Sequence, residues 1–104
     1  MQSYIEVELL RLVGYRSLTR LLKTGHPGVE SSIEKIIGSE TDQRLQEVAM
    51  QVLGAHGMVF DDRRVPEVED VAREYMYSRS ETIMGGTSEI QRNLIAQRIL
   101  GLPR

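Results

Sequence analysis

Cysteine and tryptophan are absent from this chain of 104 residues, and phenylalanine occurs once. Without cysteine there is no disulfide framework, no thiolate metal site and no thiol nucleophile. That composition is compatible with a reducing cytoplasm, where the chain is expected. Four tyrosines and one phenylalanine are too few for a base-stacking surface. The formal charge of −2 provides no basic excess, which argues against nucleic-acid or anionic-membrane partners. No apolar run approaches the ~18 residues a membrane span requires. The opening Met1-Gln2-Ser3-Tyr4-Ile5-Glu6 lacks the basic flank and apolar core of a signal peptide. No internal repeat or low-complexity linker occurs. His26 and His56 are isolated, with no second ligand at metal spacing, so no metal site is expected.

What is present is helical patterning broken by glycine and proline. The breaks fall at Gly25-His26-Pro27-Gly28, Gly54-Ala55-His56-Gly57, Val65-Pro66 and Gly85-Gly86. A first helix is expected from about Ser3 to Lys23. Val7, Leu10, Gly14, Leu18 and Leu21 form one face, and Ile5, Leu9 and Leu12 a second. A helix apolar on two sides needs more than one neighbour. A second helix is expected from about Val29 to Leu53, opened by a capping box in which Glu34 follows Ser31 by three residues. Its stripes, Ile33, Ile36 and Ile37, then Leu45, Val48, Ala49, Val52 and Leu53, read as core. A third helix begins near Pro66, with Val68, Val71, Ala72 and Tyr75 on one face. Between them, Asp61-Asp62-Arg63-Arg64 reads as a solvated charge run. A fourth helix covers about Ser88 to Leu100, with Ser88 and Gln91 as a second capping box. Its apolar residues surround the axis, which suits enclosure by several partners. No segment alternates like a strand. The fold class is all-α, an antiparallel helical bundle with short loops.

The chemistry-bearing stretch is Gly85-Gly86-Thr87-Ser88-Glu89. Paired glycines let the backbone turn and let a ligand approach without meeting a Cβ. A helix start adds unpaired N–H groups and the positive end of a dipole, which suit phosphate. Capping by Thr87 and Ser88, and a helix stop at Gly54, explain the same residues without any ligand.

The run Gly85-Gly86-Thr87-Ser88-Glu89-Ile90-Gln91-Arg92-Asn93 and its continuation through Pro103 resembles the C-terminal signature of the acyl-CoA dehydrogenases. So do Glu34-Lys35-Ile36, Gly38-Ser39-Glu40, Gln51-Val52-Leu53-Gly54-Ala55-His56-Gly57-Met58 and Tyr77-Ser78-Arg79-Ser80-Glu81-Thr82-Ile83, in the family's order. The likeness covers nearly the whole chain. It corresponds to the later part of the C-terminal helical domain, so residues 1–104 are expected to be a partial bundle, without the family's N-terminal helical and central β domains.

The resemblance implies a flavoenzyme, an oxidoreductase of fatty acid metabolism that desaturates acyl-CoA thioesters with FAD. It implies that Gln51, Val52, Leu53, Gly54 and Ala55 contact the FAD of a neighbouring subunit. Thr87, Ser88 and Glu89 would contact FAD at the last helix, and Gly86 would lie beside the acyl thioester. It also implies a homotetramer or hetero-oligomer, with electron-transfer flavoprotein as an electron acceptor. Two positions depart from the pattern. Ala55 replaces the second turn glycine, and Gly85 stands where many members carry the catalytic glutamate. Glycine cannot remove a proton, so no catalytic residue is expected in this chain. Loss of catalysis, leaving a stand-alone assembly module, and an acyl-CoA oxidase-like relative are the competing expectations.

Overall fold

The computed structural model describes residues 1–58 and 66–103, with side chains described from Asp70 onward in the second stretch. The run Asp61-Asp62-Arg63-Arg64 and the side chain of Val68 lie outside the described residues. Four helices follow one another: α1 (Gln2–Thr24), α2 (Glu30–Leu53), α3 (Pro66–Glu81) and α4 (Ser88–Arg98). A short 3₁₀ turn, Gly54–Met58, leaves the end of α2. Among the described residues there is no strand. The expected all-α class stands.

Helix α2 is the hub. It packs against α1, α3 and α4, while α1 touches no other helix. Side-chain pairs give the directions. Glu6 of α1 meets Arg44 late in α2, and Arg20 late in α1 meets Glu30 at the start of α2. Gln43 and Glu47 of α2 meet Thr82 and Arg79 at the far end of α3. Both neighbours therefore run antiparallel to α2. Gly14 and Gly38 lie where α1 and α2 face each other, with room for ordinary van der Waals contact. A Cβ on Gly14 would sit 3.5 Å from Glu34 Oε1, and one on Gly38 would sit 3.7 Å from a Leu10 methyl.

The helix ends follow the glycines. Gly25 takes the left-handed conformation at φ 74° and donates its N–H to Leu21 O, closing α1. Gly54, at φ 55° and ψ −127°, ends α2 in a different conformation, its N–H donating to Gln51 O and Met50 O. The two capping boxes do not form as expected. Ser31 already lies inside α2, whose N-cap is Val29, and its hydroxyl donates to Gly28 O. In α4 the cap is Thr87, one residue earlier than Ser88, because Thr87 holds the extended conformation at ψ 157° that a cap requires.

The largest correction concerns the core. Ala72 is the one buried hydrophobic residue among those described. Of the expected core stripe, Leu45 and Val48 are exposed, and Val52 is 82% exposed. On α1, Tyr4, Leu9, Leu12, Tyr15, Leu18 and Leu22 also face solvent. Nor is α4 enclosed: it packs on α2 alone, and Ile90 and Ile99 are exposed. The cause is geometric. Three helices around one cannot cover residues that point away from the hub. A compact protein of 11.8 kDa would expose roughly 5,900 Å², whereas this chain exposes 7668 Å². Its radius of gyration is 17.0 Å, against the ~13 Å of a compact chain of this length. The helices carry apolar faces built for neighbours.

Candidate functional site

Two turns hold the residues singled out above, and both lean on α2. The first joins α3 to α4. At the end of α3, Met84 N–H donates to Ser80 O, and the chain then turns through Gly85 at φ 68° and Gly86 at φ 98°. Buried Gln91 reaches back from α4, and its Nε2 donates to Gly85 O at 3.0 Å. A Cβ on Gly86 would stand 2.8 Å from that nitrogen, so glycine is what lets Gln91 hold the turn. From α2, Gln43 Nε2 donates to Ser78 O and to the Thr82 hydroxyl, both at 3.2 Å. Neither glutamine stood out in the sequence as a fastener. Gln91 stood out only as a capping-box partner of Ser88, and with Thr87 as the cap its side chain is instead turned to Gly85 O.

The N-terminus of α4 is less open than expected. Ser88 N–H donates to Thr82 O at 3.2 Å, and Ile90 N–H to the Thr87 hydroxyl at 3.3 Å. Gln91 N–H donates to Thr87 O. The Glu89 carboxyl is held below the usual carboxylate range, first by its own backbone N–H, then by Thr87, with help from Arg92 and Lys35. The turn folds back on α4 and uses the donors that were expected to be free. One group remains unspent: the Ser88 hydroxyl is buried and has no hydrogen-bond partner. An orphaned buried hydroxyl at a helix N-terminus fits a ligand that brings its own acceptor.

The second turn follows α2. Gln51 and Val52 are exposed on the last turn of the helix, with Leu53 half-buried behind them. Gly54 and Ala55 are exposed, whereas Gly57 is buried against Met50, whose Cε would lie 3.0 Å from a Cβ there. Among the described residues the Gln51 amide makes no side-chain hydrogen bond. His26 and His56 are both exposed. Gln51 lies about 20 Å along α2 from Gly38, which faces the first turn, at ~1.5 Å of rise per residue. The two sets of predicted residues are thus not brought together. One lies beside the middle of α2, at Gly38 and Gln43, and the other at its C-terminal end.

Beside the first turn runs an open groove of about 620 Å³. Gly38, Lys35 and Glu34 of α2 form one wall, and Glu81, Met84 and Gly85 the other. Above Gly85 nothing lies within 4 Å of where a Cβ would be. The Lys35 ammonium is shielded from solvent and has no hydrogen-bond partner. Burial pushes the Glu81 carboxyl above the usual range. The carboxylates of Asp42 and Glu74 push it the same way, and Lys35 offsets them in part. Glu81 precedes Gly85 by four residues, and the turn folds both into one groove.

Comparison with known proteins agrees with the motif likeness. The family profile "Acyl-CoA dehydrogenase, C-terminal domain" matches residues 1–100. Over 78 residues, 75% of this chain, it is 42% identical to "Acyl-CoA dehydrogenase IpdE1" of Mycobacterium tuberculosis (strain ATCC 25618 / H37Rv). It is 41% identical over the same length to the protein of that name in Mycolicibacterium smegmatis (strain ATCC 700084 / mc(2)155). It is 38% identical to "Acyl-CoA dehydrogenase FadE34" of the first organism. The chain spans 19% of the first two relatives and 10% of the third. No solved structure matches it significantly. With a profile match across nearly its whole length and the glycine turn and capped helix in the family's order, the chain belongs to the acyl-CoA dehydrogenase family, as its C-terminal domain.

Proposed function

We propose that this chain is the FAD-contacting and subunit-packing portion of an acyl-CoA dehydrogenase that oxidises an acyl-CoA thioester to the α,β-enoyl-CoA. The observation that carries the reading is the preformed turn Gly85-Gly86-Thr87, with the unpartnered Ser88 hydroxyl beside it. Ser88, together with Thr87 and Glu89 around it, would hold FAD at the start of α4. Gln51, Val52, Leu53, Gly54 and Ala55 would hold the FAD of a neighbouring subunit. The separation of the two turns supports that division, because a protein surface ~20 Å long can serve two cofactors better than one contact point. When bound, FAD would supply the hydride acceptor. Gly86 would let the thioester approach the backbone. Gly85 would leave the space near the acyl α-carbon open, with the proton-accepting base supplied by residues outside this chain.

The exposed faces of α1 and α4 support assembly, in a homotetramer or hetero-oligomer. We assign the protein to the cytoplasm, with electron-transfer flavoprotein as its electron acceptor. None of the described helices is long and apolar enough to cross a membrane. The second reading, an assembly module without catalysis, is favoured by one observation, glycine at position 85.

The test is flavin retention. In the holoprotein, Ser88→Ala and Gln51→Ala are each expected to lower bound FAD, read from visible absorbance against protein mass. The isolated chain supplies one wall only, so it is expected to bind FAD weakly or not at all. Unchanged flavin content in both variants would remove the proposed contacts. A holoprotein with no flavin at all would favour the assembly module.

A further inference from the structure

Helix α1 carries an uncovered surface on the side turned away from α2. Leu10 and Gly14 meet α2. On the opposite side lie Leu9, Leu12, Tyr15 and Leu18, three residues apart, with Ile5 and Leu22 four residues beyond the two ends. All six are exposed. A continuous row of large apolar side chains in water is an association surface, not a scatter of solvated residues. Residues three apart fall back about 60° around a helix, so the row runs obliquely to the axis. A helix that covers it along its length therefore crosses α1 at an angle.

The spacing singles out the neighbour. From Ile5 to Leu22 the steps are four, three, three, three and four residues, the same read from either end. A two-fold interface needs that property, because each residue i that meets a residue j is matched by j meeting i. An unrelated helix imposes no such symmetry. The charges are sorted along the row as well. Glu8 stands near its beginning, and Arg16 and Lys23 near its end. Arg16 acts on Glu30 only as a nearby charge, and Lys23 has no ion pair among the described residues. Turning a second α1 end for end sets the acidic end of each copy toward the basic end of the other and opposes the two helix dipoles. A parallel pair would set like against like.

Resting on the assembly reading above, we propose that a second copy of this chain covers the row, through a two-fold pairing of α1 with α1 in which Ile5 meets Leu22, Leu9 meets Leu18, and Leu12 meets Tyr15. The axis passes between Leu12 and Tyr15, and each copy supplies the same six side chains to one shared apolar seam.

The experiment uses the assembled holoprotein and introduced thiols, since these 104 residues contain no cysteine. Leu9 and Leu18 lie about 13 Å apart along one helix, beyond the ~7 Å reach of a disulfide. The proposed pairing leaves the two copies of Leu9 separated by a similar span, and brings Leu9 of each copy to Leu18 of the other. Under mild oxidation, or with a short bismaleimide, the double variant Leu9→Cys/Leu18→Cys should therefore link into covalent dimers. Leu9→Cys alone and Leu18→Cys alone should not. Leu12→Asp, which places a carboxylate in the seam, should weaken the association of the two copies at least about tenfold. Sedimentation should then show an assembly of half the size, with helix content by circular dichroism unchanged. Single variants that link as readily as the double one would overturn the two-fold register. An intact assembly that the double variant fails to link, or that Leu12→Asp leaves whole, would show that another segment or a different subunit covers α1, and would overturn the inference alone. A monomeric holoprotein would overturn the assembly reading with it.

Discussion

The turn packed beside the middle of α2 and the turn at its C-terminal end differ in who holds them. The turn through Gly85 and Gly86 is fastened by its own chain, with Gln91 on one side and Gln43 on the other. The turn after Gln51 is held by the helix cap at Gly54 and by Gly57 packed against Met50, and Gln51, Val52, Gly54 and Ala55 stand exposed. One turn is built before any ligand arrives. The other is a platform whose shape is completed by what is placed on it. Substitutions at the first should therefore cost stability, and those at the second should cost only binding.

The largest effect should follow Gly86→Ala. The new methyl would displace Gln91 Nε2 and force a positive φ on alanine. A loss of about 1–3 kcal/mol is expected in urea unfolding. A loss no greater than that of an ordinary surface change would show the turn to be less constrained than its geometry implies.

Gln91→Leu should come next. It removes the donor to Gly85 O and leaves that carbonyl without its partner. About 1–2 kcal/mol is expected by the same measurement. Amide hydrogen exchange should quicken at Ser88 and Ile90 while the Gly54 turn stays as it was. Equal quickening at both turns would erase the contrast between them.

Glu81→Gln should act in the opposite direction, by no more than the ~0.5 kcal/mol of a surface substitution. The folded carboxyl holds its proton more firmly than the unfolded one. The folded state therefore binds more protons between the two titration points, and stability falls as pH rises through that window. The variant should be the more stable protein at neutral pH. Its advantage should vanish below the range of an ordinary carboxyl. A gain that persists in acid would mean that ionisation is not its source.

The smallest effect is expected at the other turn. Gln51→Leu should leave unfolding unchanged within measurement error, since its amide serves no partner among the described residues. A loss above ~1 kcal/mol would show that this turn, too, is internally built.

Much of the fold was legible in the residues. Gly25 and Gly54 mark helix ends because each takes a backbone conformation that other residues resist. Pro66 marked a start for a similar reason. The caps were misread by small steps. Thr87 and Ser88 are adjacent hydroxyl residues, and only the backbone angle decides which of them caps. Ser31 lost its role because the chain entered α2 at Glu30. Burial was the least legible property. Val52 is apolar and sits on a helix, but no local pattern states what will lie against it. The site followed the same division. Gly85, Gly86 and Thr87 were visible as a motif, whereas Gln91, Lys35 and Glu81 joined it only through the third dimension.

Helix α1 has a consequence of another kind. Its 23 residues extend about 35 Å, and it rests on α2 alone. Such an arm multiplies any error at its base: a swing of about 10° would carry the far tip roughly 6 Å at that length. Two clamps limit it. At the base, Arg20 grips both oxygens of Glu30, in a space that a Cβ on Gly28 would occupy. Near the tip, Arg44 grips Glu6. The exposed Leu9, Leu12, Tyr15 and Leu18 between the clamps are thereby presented in a fixed row, and a surface that must meet another molecule in register needs its spacing set before the meeting.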